Sequence, residues 1–128
     1  MRLSFLTKSV PLSVLLLVTF LTCGCGEATQ PPNAISFDKI PAELQKAFAS
    51  AAGDTRELSG LAITAVESKD ISKAAAALEA LARRPDLGKV QSRTVAGAAM
   101  TINAALLEAE SKGDPRAAET LNVRRMTK

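Results

Sequence analysis

The sequence predicts an all-α fold: a small bundle of two helical hairpins, about four to five helices, after a signal peptide and a flexible tether. Three observations carry this. Beyond residue 40 the apolar residues recur at helical spacing, and no segment alternates with the period of two that a strand requires. Alanine, the best helix former, supplies most of the apolar content there. Gly53, Pro85 and Gly113-Asp114-Pro115 then cut the pattern into pieces of helix length. A chain of 128 residues has room for one such domain. Because alanine buries few methylenes, the helices are expected to pack closely around a thin core of modest stability.

The N-terminus comes first. "MRLSFLTKS" carries two cations and no acid, "VPLSVLLLVTFL" is a short apolar stretch, and small residues follow. This is the three-part order of a secretory signal. The apolar stretch is about a dozen residues, against the roughly 20 needed to span a bilayer. A single-span anchor requires counting the Thr, Cys and Gly residues as well, and stands as an alternative, as does free secretion.

Cys23 and Cys25 are the two cysteines of the chain, and one glycine separates them. A metal site needs three or four ligands, and there is no histidine and no further cysteine to complete one. A redox pair of the Cys-x-x-Cys kind has two intervening residues. A disulfide across one residue closes a strained loop and staples nothing. "LTCGC" resembles the bacterial lipoprotein signal, in which an apolar residue and small residues precede a cysteine that receives diacylglycerol. Cys25 fits as acceptor, with Gly24 and Cys23 before it. Thr22 departs from the usual leucine, with Leu21 one place early. Cys23 is the alternative acceptor, preceded by Phe20, Leu21 and Thr22.

The resemblance covers residues 1–25. It implies a signal peptide over 1–24, a lipid on Cys25 and a place in the bacterial cell envelope. Gly26 is not the aspartate that retains some lipoproteins in the inner membrane, which favours an outer-membrane anchor facing the periplasm. "GEATQPPNAIS" lacks periodicity and contains Pro31-Pro32, so residues 25–38 read as a tether and 39–128 as the helical domain.

Pro41 and Glu43 suit a first turn, and Leu44, Ala47, Phe48, Ala51 and Ala52 continue one face to residue 52. Gly53 and Asp54 read as a stop and a new cap, with Glu57 completing a capping box. The alternative is one long helix from 41 to 69, kinked at Gly53. Leu58, Leu61, Ala62, Ala65 and Val66 form the next stripe. Ser72 is the expected cap of the third helix, whose inner face is Ala74, Ala75, Leu78 and Leu81 and which Pro85 ends. Val95, Ala98, Ala99, Ile102, Ala105, Leu106 and Ala109 define a long helix from about residue 89 to residue 112. Gly113, Asp114 and Pro115 supply a C-terminal glycine, an N-cap and a first-turn proline, opening a last helix to about residue 124.

"ESKDISKAAAALEAL" at 67–81 lines up with "ESKGDPRAAETLNVR" at 110–124, an offset of 43. Ala74, Ala75 and Leu78 match Ala117, Ala118 and Leu121. With Ala74 early in the second helix and Pro85 after it, the unit resembles the hairpin of tetratricopeptide-type repeats. The period exceeds the usual 34, no aromatic occupies the packing positions, and two units stand where three are customary. An Ala-rich helix–turn–helix would give the same match without repeat membership.

Without residues 1–24 the chain has 14 cations against 13 acids, and their signs alternate along it, which describes a solvated surface rather than a nucleic-acid footprint. Arg124, Arg125 and Lys128 read as a frayed basic helix end that suits the helix dipole. No histidine is present as a general base. Glu67, Asp70, Glu108 and Glu110 read as caps and surface pairs, and Ser68 and Lys69 point different ways on a helix. No aromatic platform for single strands and no Gly-rich phosphate loop occur.

We therefore expect a non-catalytic protein without cofactor or metal, holding the membrane through its N-terminal lipid and another envelope protein or a second copy of itself through its helices. Met100, Leu107, Val123 and Met126 are the candidate partner-binding residues. The alternatives are a passive structural or self-associating spacer, and a freely secreted helical protein. A small-ligand carrier would require a cavity that so alanine-rich a core is not expected to form.

Overall fold

The computed structural model describes residues 31–127. The expected signal peptide, Cys23, Cys25 and the expected tether up to residue 30 lie outside the described residues. An irregular segment at 31–36 leads through a 3-10 turn, Phe37–Lys39, into five helices: α1 (Ile40–Ala47), α2 (Gly53–Glu67), α3 (Ile71–Ala82), α4 (Lys89–Ser111) and α5 (Pro115–Met126). No strand occurs among the described residues. The all-α bundle of two hairpins is thus the fold, with α2–α3 and α4–α5 as the hairpins. α1 packs across α2 and α4, and α3 packs on α4.

α1 is shorter than its apolar pattern. It ends at Ala47, and Phe48, buried in the core, turns the chain with its N–H on Leu44 O. The extended cap conformation then falls on Ala52, at φ −131° and ψ 167°, so α1 and α2 are separate helices. The capping box expected at Asp54 and Glu57 does not form. Asp54 lies inside the first turn, where its carboxylate reaches Arg84 at 3.5 Å. A cap needs non-helical backbone, and here that comes two residues early.

A second correction concerns which face α2 buries. Leu61, placed in the inner stripe by hydrophobicity, is 55% exposed. The buried line runs Thr55, Ser59, Ala62 and Val66, with Ala65 beside it. Both hydroxyls are satisfied inside: Thr55 Oγ1 donates to Asp86 Oδ2 at 3.1 Å and Ser59 Oγ to Arg56 O at 2.8 Å. Hydrogen bonding removes the cost of burying them, so packing and not hydropathy sets the face.

Ser72 is not the cap of α3. Asp70 is, accepting from Lys73 N at 3.1 Å, while Ser72 lies within the helix. The residue before it, Lys69, takes a left-handed φ of 57°. In the second hairpin Gly113 takes that role at φ 86°, and Asp114 caps α5 by accepting from Arg116 N and Ala117 N. The equivalent reverse bonds are Asp70 N to Ala65 O and Asp114 N to Ala109 O. These turns superimpose at an offset of 44, whereas the buried alanines Ala74 and Ala117 correspond at 43. α5 therefore buries its first alanine one residue sooner after its cap than α3 does.

The core holds Ile40, Leu44 and Phe48 at α1, Ala62, Ala65 and Val66 from α2, and Ala74, Ala75, Ala77, Leu78 and Leu81 from α3. Val95, Ala98, Ile102 and Leu106 from α4, with Ala117 from α5, complete it. Ahead of α1, the chain is seated on α4. Ile35 N donates to Gly97 O at 3.2 Å, and Thr101 Oγ1 donates to Ile35 O at 2.6 Å. A Cβ on Gly97 would stand 2.5 Å from Asn33 O, so this crossing requires glycine. Residues 33–38, which composition alone places in the tether, belong with the packed domain.

Candidate functional site

α3 and α5 both pack on α4 but touch each other sparingly, and the space between them is a groove. Its volume is about 580 Å³. The floor is apolar, built from Leu78 of α3, Ile102 and Leu107 of α4 and Leu121 of α5, with alanines between them. Arg83, Arg124 and Arg125 stand along its edge, with Glu79 and Asn103 among them.

Arg124 positions these walls. Its Nε donates to Glu79 Oε2 at 3.2 Å, one terminal nitrogen to Asn103 Oδ1 at 2.7 Å and the other to Ala75 O at 3.3 Å. One planar guanidinium thus ties α5 to α3 and α4, a use of several fixed donors that lysine could not reproduce. The frayed basic end expected at this position is instead a clamp, and α5 continues to Met126. Arg83 donates to the other oxygen of Glu79, and Arg125 makes a two-pronged contact to Glu110 at 3.3 and 3.2 Å. Three guanidiniums therefore face two carboxylates, which leaves this edge of the groove with one positive charge in excess.

Of the four candidate partner residues, Leu107 lines the groove and is 54% exposed. Met100, Val123 and Met126 are also half-exposed or more, but none of them lines it. The residues that hydropathy alone passes over are Glu79, Asn103 and the arginines. Their sequence signal is weak because each looks like an ordinary surface charge until three helices bring them together.

The carboxylates singled out in the sequence have local partners. Asp70 is held below the usual carboxylate range, chiefly by the Lys73 backbone N–H it accepts. Glu108 is lowered by its hydrogen bond from Lys112, and Glu110 belongs to Arg125. Asp86 is lowered first by its bond from Arg84 and also accepts from Thr55, tying the α3–α4 turn to the start of α2. Ser68 Oγ donates to Ala65 O rather than toward Lys69. Among the described residues, no helix is long and apolar enough to cross a membrane, and no group of three or more His, Cys, Asp or Glu could hold a metal ion. No protein-family model, curated protein or solved structure matches the chain.

Proposed function

We propose that the protein is a small lipid-anchored component of the bacterial cell envelope, held by Cys25, whose helical domain is a non-catalytic protein-interaction module. The observation that carries the interaction reading is the groove between α3 and α5, an apolar trough with a positively charged edge and the half-exposed Leu107 within it. Grooves of this make-up suit an amphipathic helix, which supplies apolar anchors for the floor and charges for the edge. The anchor reading rests on the order of charges, apolar stretch and small residues before Cys25. Two or more acyl chains on Cys25 would hold the chain stably, where one would bind marginally.

Two measurements test these parts separately. For the module, a photo-crosslinking side chain is placed at Leu107 of the full chain in its native host, with exposed Gln45 on α1 as control. Polypeptide adducts from position 107 and none from 45 are expected. Equal or absent adducts at both would overturn the module. For the anchor, the mass of the mature N-terminal peptide should show an acylated Cys25, lost in Cys25→Ser. An intact Met1, or a cut at an unmodified residue, would overturn it.

A further inference from the structure

α2 carries, on the side away from the core, a feature that its own fold does not use. Glu57, Gly60, Leu61, Thr64 and Glu67 are exposed and recur at helical spacing, so they form one outward stripe. Gly60 lies in the middle of the helix, where glycine is less favourable than alanine. Nothing lies within 4 Å of where its Cβ would be, so intrachain packing does not require it. A glycine beside an exposed leucine lets a second helix approach more closely than ordinary side chains permit.

The stripe carries charge opposite to the one positive charge in excess on the groove's edge. The stripe offers one leucine between two carboxylates, Glu57 and Glu67, while the groove offers an apolar trough edged by Arg83 and Arg125. We propose that the occupant of the groove is a second copy of this chain, docked through the outward stripe of α2. The proposal rests on the reading of the groove as a docking site and names its partner. Leu61 enters beside Leu107 and Leu121, Gly60 brings the helices close, and Glu57 and Glu67 meet the arginines. In the proposed arrangement the contact is heterologous: each copy keeps one patch open, and association proceeds head to tail beyond two subunits.

The test uses the full chain in its native host with the crosslinking side chain at Leu107. The wild type should give a ladder of dimers, trimers and higher self-adducts. Glu57→Arg with Glu67→Arg disables the stripe, and Arg83→Glu with Arg125→Glu disables the groove. Either pair alone should lower the self-adducts by roughly tenfold or more, since like charges are placed in contact. Differently tagged copies of the two variants expressed together should restore mixed adducts, dimers and larger, because the unaltered groove of one meets the unaltered stripe of the other and the two reversed patches again carry opposite charges. That restoration also proves both variants folded, and Leu61→Asp, at an exposed position, should abolish the ladder independently. Self-adducts that stop at dimers in the wild type, or no recovery on mixing, would overturn the head-to-tail contact. Adducts to a different polypeptide alone would overturn self-docking and leave the module standing, whereas no adduct of any kind would sink both.

Discussion

The two hairpins share local signals and bury them to different depths. In α2–α3 the second helix hides Ala74, Ala75, Ala77, Leu78 and Leu81, because α2 and α4 flank it on two sides. In α4–α5 the second helix hides Ala117 alone, and the counterparts of Ala75 and Leu78, which are Ala118 and Leu121, are half-buried. The residues are alike; what differs is the number of neighbours. α5 has α4 beneath it and touches α3 sparingly, and the side that a further helix would cover is the groove. An inner helix buries its apolar stripe within its own fold, whereas an end helix leaves part of it open.

The sharpest break in this comparison comes from paired truncations. Leu78→Ala should cost about 3 kcal/mol, the usual range for a fully buried leucine. Its counterpart Leu121→Ala should cost roughly 1 kcal/mol, because less area leaves water there. Urea unfolding of both would read the difference, and equal losses would mean that α5 is as enclosed as α3.

α4 differs from α2 in carrying the N-terminal crossing. Gly97→Ala should destabilise by about 2 kcal/mol, since the added methyl collides with Asn33 O. Asp54→Ala, in the first turn of α2, should change stability by less than about 0.5 kcal/mol, because the carboxylate it removes is largely exposed. Protease protection around residue 33 should fall in the first variant and hold in the second.

The turns sharpen the comparison on a smaller scale. Gly113→Ala should cost about 1 kcal/mol, the penalty of a left-handed backbone for a residue with a Cβ. Lys69→Gly relieves that penalty in the first turn and should raise the melting temperature slightly. The first turn also carries an acid sensitivity. Asp70, held low by the Lys73 N–H and by the Lys73 side chain, has a folded-state pKa below its unfolded one. Its contribution is therefore present at neutral pH and is lost as the pH falls below about 4. Asp70→Asn, which still caps, should flatten that part of the acid melting curve.

On the outward face of α2 the expected effect is a gain. Gly60→Ala should stabilise the isolated domain by about 0.5–1 kcal/mol, because alanine is the better helix former and no atom obstructs the methyl. A loss of stability in thermal melts would show that Gly60 serves the chain's own packing after all.

Much of this fold was legible without coordinates. The Gly113-Asp114-Pro115 cap, the inner face of α3 and the long helix α4 follow from signals within a few residues of one another: side-chain capping, proline's missing N–H and the spacing of apolar residues. Elsewhere a competing interaction outweighed the pattern, a distant one at Thr55 and local ones at Ser59 and Asp70. Leu61 lost its inward place to Thr55 and Ser59 because Asp86 and the Arg56 carbonyl satisfied their hydroxyls. Ser72 lost the cap to Asp70 once Lys69 turned left-handed.

The sequence by itself thus determined that the chain is helical, where most helices run and which residues of α3 and α4 face inward, since these depend on short-range propensity and periodicity. Only the tertiary structure decided that Arg124 is a clamp and not a tail, that Gly97 exists for the Asn33 crossing, and that Glu79, Asn103 and Leu107 share one groove. Those facts depend on groups far apart in the chain, up to 64 residues for Asn33 and Gly97, meeting at contact distance. No local pattern encodes such a meeting, because it is fixed by how helices pack against one another.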